Sequence, residues 1–287
     1  MYKFEPIVKT LVWGSEKWVL SAVPGFESVV SEGPEKGRKI TELHPGTFPL
    51  LIKFIDAKRD LSIQVHPDDE LAAKRHNCSG KTEMWYVIRA EEGARLLSGF
   101  SRRIGPEQYE ELVRRDEIVS VLASHEVREG DVFFLPAGRV HAIGSGCYLA
   151  EIQQTSDITY RIYDYNRPGL DGKPRPLHTE LAKDAIDYRV YPDYRTPYAP
   201  RRDAEVTLVD CQYFRTGLLE LDSPYVRSLS GCPDFIVLIC VGGEGRVSSA
   251  GSTLGLKAGE TVLAFASEGE LRIEPSGQGM KLLTAVR

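Results

Sequence analysis

The sequence predicts a mainly β protein built from two jelly-roll barrels, with a short helical insertion between strands. Short apolar segments are separated by Gly and Pro turns at spacings that leave no room for long helices. Several of these segments alternate polar and apolar residues with the period of a strand. A weak internal repeat, in which residues 130–138 resemble residues 259–266, suggests two similar units. Together these features indicate a double-sheet jelly roll of the cupin type.

The elements of the first half follow from local patterns. Residues 50–55 are an apolar run and are predicted to be a buried strand. Pro67 is followed by acidic residues, as the first turn of a helix prefers, so a short helix is predicted that ends before Ser79. Residues of about 101–125 carry charges at helical spacing and predict a helical insertion whose charged face is solvated.

Polar faces on predicted strands suggest a metal site. Ser62, Gln64 and His66 share one face of a strand because side chains alternate with period two. Glu83 lies on a second strand with the same rhythm, and His141 follows an apolar strand and a Pro/Gly turn. Two histidines with one glutamate are a catalytic zinc set, and the same count describes non-haem iron oxygenases. We therefore expect one metal ion to be bound by Gln64, His66, Glu83 and His141.

An interpretation without a metal also fits this spacing. In it, His66 caps the short helix, Glu83 pairs with Lys81, and His141 closes a turn. From spacing alone, both interpretations remain open. The other histidines have no acidic or histidine partner at strand spacing and are predicted to be surface residues: His44, His76, His125 and His178.

The internal repeat predicts how the chain is divided. Residues 1–165 are expected to form the metal-binding barrel, residues 166–204 an ordered connection, and residues 205–287 a second cupin-like barrel. In the register of the repeat, Glu270 stands where His141 stands, and the C-terminal half has no counterpart of the Gln64–His66 strand. The second barrel is therefore predicted to lack a metal.

Bulk composition excludes several classes of protein. The net charge of −5 argues against a general nucleic-acid or anionic-membrane binder. No apolar run approaches the roughly 20 residues that span a bilayer, and the N-terminus lacks a signal peptide's apolar core. The 5 cysteines include no Cys-x-x-Cys pair and are expected to be reduced thiols. We expect a cytoplasmic protein, monomeric or a small homo-oligomer, with no nucleic-acid or membrane partner.

Four motifs that occur in order resemble those of type I mannose-6-phosphate isomerases, also called phosphomannose isomerases. The likeness is greatest to the short bacterial form, which belongs to the cupin superfamily. It continues through residues 172–178, and it is specific because the motifs are separate and ordered. The motifs are SIQVHPDD at 62–69, GKTEMWY at 80–86, GDVFFLPAGRVHAIG at 130–144 and QTSDITYRIYDYNR at 154–167.

The resemblance implies an aldose–ketose isomerase that interconverts mannose 6-phosphate and fructose 6-phosphate with one zinc ion per chain. It implies His66, Glu83 and His141 as zinc ligands, with Gln64 as an additional ligand found in many members. The expected partner is thus a small-molecule sugar phosphate.

The resemblance also implies roles for residues around the metal. Arg161, in a Ser-Asp-x-x-x-Arg motif, would be the active-site arginine and could stabilise the charge of an enediolate. Lys81 could carry the proton if the metal's charge favoured its neutral form, and a metal-bound water is the rival. Ser62, Arg167 and Lys81 are expected to hold the phosphate by charge-assisted hydrogen bonds, whereas the alternative for Arg167 is an ion pair with Asp164.

Three other functions compete with this expectation. A non-haem iron cupin oxygenase could use the same His66, Glu83 and His141 triad, and it would bind iron and consume oxygen. A non-catalytic sugar-phosphate-binding cupin could keep the barrel without the chemistry, although a degenerate site usually loses a ligand. An isomerase acting on another sugar is the third.

Overall fold

The computed structural model describes residues 1–44, 46–232 and 234–287, and within these residues the protein is mainly β, as predicted. The helices are α1 (Ile40–Leu43), α2 (Asp69–His76), α3 (Pro106–Arg114) and α4 (Thr179–Ala185), with 3-10 turns at Ile118–Val121 and Ala266–Glu268. The strands are β1 (Lys3–Phe4), β2 (Ile7–Leu11), β3 (Gly14–Leu20), β4 (Val30–Glu32), β5 (Leu50–Ala57), β6 (Ile63–Val65), β7 (Glu83–Ala90), β8 (Arg95–Phe100), β9 (Leu122–Glu126), β10 (Val132–Leu135), β11 (His141–Ile143), β12 (Cys147–Gln154), β13 (Tyr160–Tyr163), β14 (Val206–Asp210), β15 (Arg215–Leu221), β16 (Tyr225–Ser228), β17 (Phe235–Ser249), β18 (Ser252–Lys257), β19 (Thr261–Phe265) and β20 (Glu270–Val286).

The chain forms two compact units that interleave along the sequence. The site unit comprises Val8–Lys17 and Lys53–Arg195, and the terminal unit comprises Met1–Ile7, Trp18–Ile52 and Thr196–Arg287. Compactness does not establish which segments fold independently, so the contiguous division at residues 165 and 205 stays a prediction.

The site unit contains two sheets. One has the strand order β10-β7-β12-β5-β3-β2, counting only the parts of β2, β3 and β5 that lie in the unit. The other has the order β13-β6-β11-β8-β9. Apolar side chains of both sheets, including Trp85, Phe133, Leu96 and Ile143, share one buried cluster. Two sheets that bury their inner faces against each other are the arrangement expected of a jelly roll.

Helices cover the outer face of the five-stranded sheet. Ile63 and Val65 of β6 belong to a buried cluster with Tyr109 and Leu112 of α3. Because side chains alternate along a strand, Gln64 between them points the other way, toward the six-stranded sheet. This alternation, predicted from the sequence, is what gives the site its polar lining.

Of the two helical predictions, the first agrees with the structure and the second extends too far along the chain. The short helix after Pro67 is α2, and its N-cap is Asp68, whose Oδ1 accepts a hydrogen bond of 2.9 Å from the Leu71 amide. The helical insertion predicted to extend to about residue 125 ends earlier, because Leu122–Glu126 is strand β9, paired with β8. Ser124 and Glu126 are exposed there and alternate with the half-buried Ala123 and His125, and this strand pattern was missed.

The terminal unit has its own sheet and core. Its strands run in the order β14-β15-β20-β17-β18, with β16 paired to β20 and β19 paired to β17, and β1 pairs with β4. Leu238, Val247, Ile273 and Leu282, all buried, belong to its core cluster. The long strands β17 and β20 therefore organise this unit.

Three further expectations can be compared with the structure. All the cysteines, each of them among the described residues, are free thiols. In the described part of the chain, we find no helix with the length and apolar character needed to cross a membrane. The prediction that His44 lies on the surface is wrong. Its ring is buried and its Nε2 lies 2.6 Å from Oδ2 of Asp234, a partner 190 residues away that no local pattern reveals.

Candidate metal centre

Three strand ends bring the predicted ligands together. His66 directly follows β6, His141 is the first residue of β11, and Glu83 is the first residue of β7. Strand β11 pairs with β6, with His141 opposite Gln64, so both histidines come from the five-stranded sheet. Glu83 reaches them from the six-stranded sheet. The site therefore lies between the sheets, at the ends of strands that are distant in the sequence.

The distances within this trio suit a single metal ion. The Nε2 atom of His141 is 3.3 Å from Oε1 of Glu83, and the Nε2 atom of His66 is 3.5 Å from Oε2 of the same carboxylate. Two donors that each lie about 2.1 Å from a tetrahedral zinc ion are separated by roughly 3.4 Å. Among the described residues this is the one group of histidine, cysteine and acidic side chains with metal-binding spacing, and all three members are buried.

Hydrogen bonds fix which nitrogen of each histidine faces the trio. The Nδ1 atom of His66 is 2.8 Å from the carbonyl oxygen of Ile158, and Nδ1 of His141 is 2.8 Å from that of Arg139. A carbonyl only accepts, so each Nδ1 must carry the proton, and each neutral ring directs the lone pair of Nε2 at Glu83. Lone pairs that face a carboxylate repel it unless a cation lies between them. The Lys81 ammonium fills this role for His66, but Nε2 of His141 is buried and has no hydrogen-bond partner among the described residues. The donor set therefore fits a metal ion.

The electrostatics also favour a cation. Burial and then the Lys81 ammonium lower the pKa of His141 to about 3, and the same two causes hold the pKa of His66 well below its ordinary value. Burial, together with the charge of Glu151, raises the pKa of Glu83. Both rings are thus neutral and ready to ligate, and burial with the neighbouring Glu151 disfavours the anion of Glu83 in spite of the nearby ammonium groups of Lys81 and Lys53.

The structure contains some of the contacts that the interpretation without a metal predicts, but not all of them. Asp68 caps α2, so His66 does not have that role. Lys81 does pair with Glu83, with Nζ 2.5 Å from Oε2, and the same ammonium lies 3.0 Å from Nε2 of His66. His141 does bond to the turn before it, but through Nδ1, which leaves Nε2 available. A positive charge already lies beside two of the three proposed ligands.

Gln64 and Arg161 lie on the same face of the sheet as His141. Gln64 of β6 is opposite His141 on one side and opposite Arg161 of β13 on the other. Directly opposed residues of an antiparallel pair point to the same side. Gln64 therefore lies on the strand next to His141 and points to the same side of the sheet, but its role as a ligand stays a prediction.

Arg161 is partly buried and keeps unused donors. Its Nη1 donates to the carbonyl of Pro176 at 2.9 Å, while its Nε is buried and has no hydrogen-bond partner among the described residues. Burial and then the charge of Arg175 lower its pKa from the ordinary value. An arginine with a free buried N–H on the ligand face can bind a developing negative charge.

The two remaining predicted residues, Ser62 and Arg167, lie just outside the paired strands β6 and β13. Ser62 is buried just before β6. Arg167 and Arg175 both bond to Asp164, at 2.8 Å and 2.6 Å from Oδ1, and Arg167 also donates to the Asp60 carbonyl at 2.5 Å. The predicted alternative for Arg167, an ion pair with Asp164, is therefore present. Two arginines on one carboxylate still leave a net positive charge.

A buried polar network behind the trio was missed by the sequence reasoning. Glu151 of β12 accepts a hydrogen bond of 2.8 Å from Nε1 of Trp85, and its Oε1 is 3.1 Å from Nζ of Lys53 and 3.7 Å from Nζ of Lys81. The Trp85 ring in turn meets the His141 ring edge-on at 5.2 Å. Glu151 thus supports both a ligand and Lys81.

A sequence signal for this network existed. Glu151 and Gln153 alternate along an otherwise apolar strand, and Lys53 interrupts the apolar run 50–55. A charged residue inside a buried strand requires a partner. Burial disfavours the anion of Glu151, but the ammonium groups of Lys81 and Lys53 lower its pKa.

Replacing Lys53 with methionine should destabilise the protein by about 3 kcal/mol, because it leaves a buried carboxylate with one fewer counter-ion. The free energy of unfolding, measured with denaturant, tests this. Lys58→Met is the matched control, since Lys58 pairs with Asp56 at 3.0 Å on the surface and its side chain is 62% exposed. An equal effect of the two substitutions would contradict a special role for Lys53.

The stability of the metal-free protein should fall as the pH is lowered from 6.5 toward 3. The unfolded chain takes up a proton on His141 below pH 6.5, whereas the folded protein does so only below a pH of about 3. His66 acts in the same direction, and Glu83, whose pKa is raised, acts in the opposite one. Denaturant unfolding across this range, with His141→Asn as the comparison, measures the effect. The substitution should flatten the pH dependence.

Comparisons with known proteins identify the family to which the chain is similar. Residues 25–89 match the family described as phosphomannose isomerase type I, catalytic domain. The mannose-6-phosphate isomerase ManA of Bacillus subtilis is 33% identical over 301 residues, covering 94% of this chain and 95% of that protein. A crystal structure of the mannose 6-phosphate isomerase from Bacillus subtilis matches with a TM-score of 0.90, at 27% identity over 100% of this chain and 99% of that one.

A more distant structure, of a mannose 6-phosphate isomerase bound with zinc and yttrium, shares the fold with a TM-score of 0.75. It is 15% identical and covers 100% of this chain and 99% of that one. The full-length match to the Bacillus subtilis enzyme and the ordered motifs lead to one assignment. The chain belongs to the type I mannose-6-phosphate isomerase (phosphomannose isomerase) family, with the cupin fold.

Proposed function

We propose that this protein is a zinc-dependent aldose–ketose isomerase that interconverts mannose 6-phosphate and fructose 6-phosphate through an enediol intermediate. The observation that carries the proposal is the buried trio in which two imidazole lone pairs face one carboxylate. Family membership supports the reaction. We keep the expectation of a cytoplasmic monomer or small homo-oligomer.

The proposed zinc ligands are His66, Glu83 and His141, with Gln64 as a fourth. Bound zinc would act as a Lewis acid on the sugar's carbonyl and hydroxyl oxygens. Two nitrogens and one carboxylate are a known catalytic zinc set that leaves a position open, and a distant relative of the same fold is bound with zinc. The Nδ1 bonds to the Ile158 and Arg139 carbonyls hold both rings in the ligating orientation.

Lys81 is the proposed proton carrier. Isomerisation moves a proton between the two carbons that share the enediol, so one group must reach both carbons. The Lys81 ammonium lies beside His66 and Glu83, where the reacting end of the sugar would sit. Glu151, 3.7 Å away, provides a second carboxylate that keeps this side chain in place. An ordered water is the rival carrier.

Arg161 is the proposed stabiliser of the enediolate. It lies on the ligand face across β6, and its buried Nε–H has no partner among the described residues. A planar guanidinium with a permanent charge can bind the oxygen on which negative charge develops, and for the same reason it is a poor base. We therefore assign it to charge stabilisation and substrate orientation.

The sugar's phosphate is proposed to bind at Ser62 and Arg167, with help from Lys81. Arg167 and Arg175 both bond to the single carboxylate of Asp164, and Arg161 interacts electrostatically with all three groups, so this corner of the site unit carries excess positive charge. Phosphate oxygens are strong acceptors for such guanidinium donors. Asp164 would hold Arg167 in position rather than neutralise the corner.

The proposal is tested with purified full-length protein. Metal content is measured on protein prepared without added metal, and isomerase activity is measured with mannose 6-phosphate in a coupled assay, before and after chelation. We expect about one zinc per chain, activity that is lost on chelation, and recovery on addition of zinc. Bound iron with substrate-dependent oxygen uptake would indicate the cupin oxygenase instead. Binding of the sugar phosphate without turnover would indicate a non-catalytic cupin.

A further inference from the structure

One turn contacts both proposed histidine ligands. In the turn of residues 136–139, the amide of Gly138 donates to the carbonyl of His66 at 2.9 Å. The carbonyl of Arg139 accepts the hydrogen bond of 2.8 Å from Nδ1 of His141. The turn is closed by the Arg139 amide bonding to the Pro136 carbonyl at 3.0 Å. The turn therefore orients the imidazole of His141 directly and holds the backbone of His66.

A segment from the predicted connecting region packs on this turn. We call residues 187–195 the tyrosine strap. The Asp187 amide donates to the carbonyl of Gly138 at 2.8 Å. Gly138 has φ of +88°, and a Cβ there would meet the carbonyl of Ala185 at 2.9 Å, so only glycine allows this close approach.

The strap also holds the side chain of Arg139. Its guanidinium carbon lies 4.6 Å from the ring centroid of Tyr191 and 4.6 Å from that of Tyr194. The two rings are 5.8 Å apart at 69°, and form a corner around the cation. Arg139 is buried and makes no ion pair with a carboxylate among the described residues. Its charge is held by the two aromatic faces, with the Tyr191 side chain as a hydrogen-bond partner and the charge of Asp187 nearby, and a cation–π contact is stronger in a desolvated place.

The strap is itself anchored to the sheets of the site unit. The hydroxyl of Tyr194 donates to the carbonyl of Phe100 at 2.8 Å. Arg195 forms an isolated β-bridge with Phe133 of strand β10. Gly99 leaves room for Tyr194, because a Cβ at that position would lie 2.1 Å from the tyrosine ring. The strap is thus anchored to the site unit at Tyr194 and Arg195.

We propose that the tyrosine strap is a positioning element for the metal centre, and that Tyr191 and Tyr194 act on the ligands through Arg139. By fixing the guanidinium they fix the peptide whose carbonyl sets the tautomer and ring orientation of His141. Partners of this kind, one step removed from a metal, typically change metal affinity 10- to 100-fold when altered. This inference rests on the proposed metal site and assigns it three residues outside the ligand set.

The test measures zinc affinity of the full-length, metal-stripped protein by competition with a fluorescent zinc chelator. Arg139→Met keeps the apolar stem but removes the cation, and it should weaken zinc binding by about tenfold. Tyr194→Leu should have a similar effect, and Arg139→Lys, which retains a cation over the rings, should recover part of the affinity. Apo-protein unfolding is measured for each variant to show that it is folded at the assay temperature.

Tyr188→Leu is the matched control. Tyr188 belongs to the same strap and stacks on Phe100 at 5.9 Å, but it donates to the carbonyl of Lys183 rather than contacting Arg139. It should lower stability while leaving the zinc affinity within about twofold of the parent, well below the change expected for a ligand-supporting partner. The inference would be wrong if Arg139→Met bound zinc as tightly as the parent, or if Tyr188→Leu lost as much zinc affinity as Arg139→Met. Either result would leave the proposed function unaffected. Failure of the parent protein to bind zinc would instead overturn the proposed function.

Discussion

Glu83→Gln is expected to remove the bound metal and to lower isomerase turnover by at least about a thousandfold, the size of effect that loss of several kcal/mol of Lewis-acid stabilisation produces. The substitution preserves the shape of the side chain but removes the negative charge that would hold the ion beside His66 and His141. Metal content by elemental analysis and the rate of mannose 6-phosphate turnover are measured on the same preparation.

The matched control for that experiment is Glu126→Gln. Glu126 ends strand β9 of the same unit, and its side chain is 70% exposed, so its amide variant should keep metal and activity. Thermal unfolding of both variants excludes a folding defect. If Glu83→Gln retained its full metal content, the ligand assignment would be wrong, and if it retained full turnover without metal, the reaction would not need the ion.

Arg161→Ala should separate metal binding from turnover. Because Arg161 lies across β6 from the ligands and bonds to none of them among the described residues, the metal stoichiometry should not change. Turnover should fall by about a hundredfold to a thousandfold, as when a donor to a developing oxyanion is removed. The measurements are zinc content, kcat and KM for mannose 6-phosphate.

Arg161→Lys provides the comparison for the guanidinium. Lysine keeps the charge but not the planar fork of donors, so we expect it to recover only a small part of the lost turnover. A loss of zinc in Arg161→Ala would show that this arginine supports the metal instead. Turnover near that of the parent would show that it does not act on the reacting sugar.

Local patterns placed the proposed metal ligands on predicted strands or next to them, and the resemblance to a known family then favoured the metal over the alternative that spacing left open. Period-two alternation separates Gln64 from Ile63 and Val65, and in the structure those two neighbours pack against α3. Breakers and acidic first-turn residues likewise located α2. Where the local chemistry and the fold agree, a single sequence is informative.

The features that the sequence did not predict depend on which segments become neighbours in the fold, and no local sequence pattern specifies this. Glu151 supports the site only because β12 lies beside β7, which places it opposite Trp85. His44 is buried only because Asp234 lies close to it in the fold. The tyrosine strap was predicted only as part of an ordered connection, because cation–π packing against Arg139 does not produce a periodic pattern in the sequence.

The interleaving of the two units has a consequence for biosynthesis. Residues 53–195 of the site unit leave the ribosome as one continuous stretch, whereas the terminal unit draws on residues from both sides of it. Met1–Ile7 and Trp18–Ile52 contain a small buried cluster of their own, but the main core of the terminal unit is supplied by Thr196–Arg287. Nascent chains should therefore acquire protease resistance in the central stretch first, and a truncation at residue 165 should yield no stable product because it also lacks the strap.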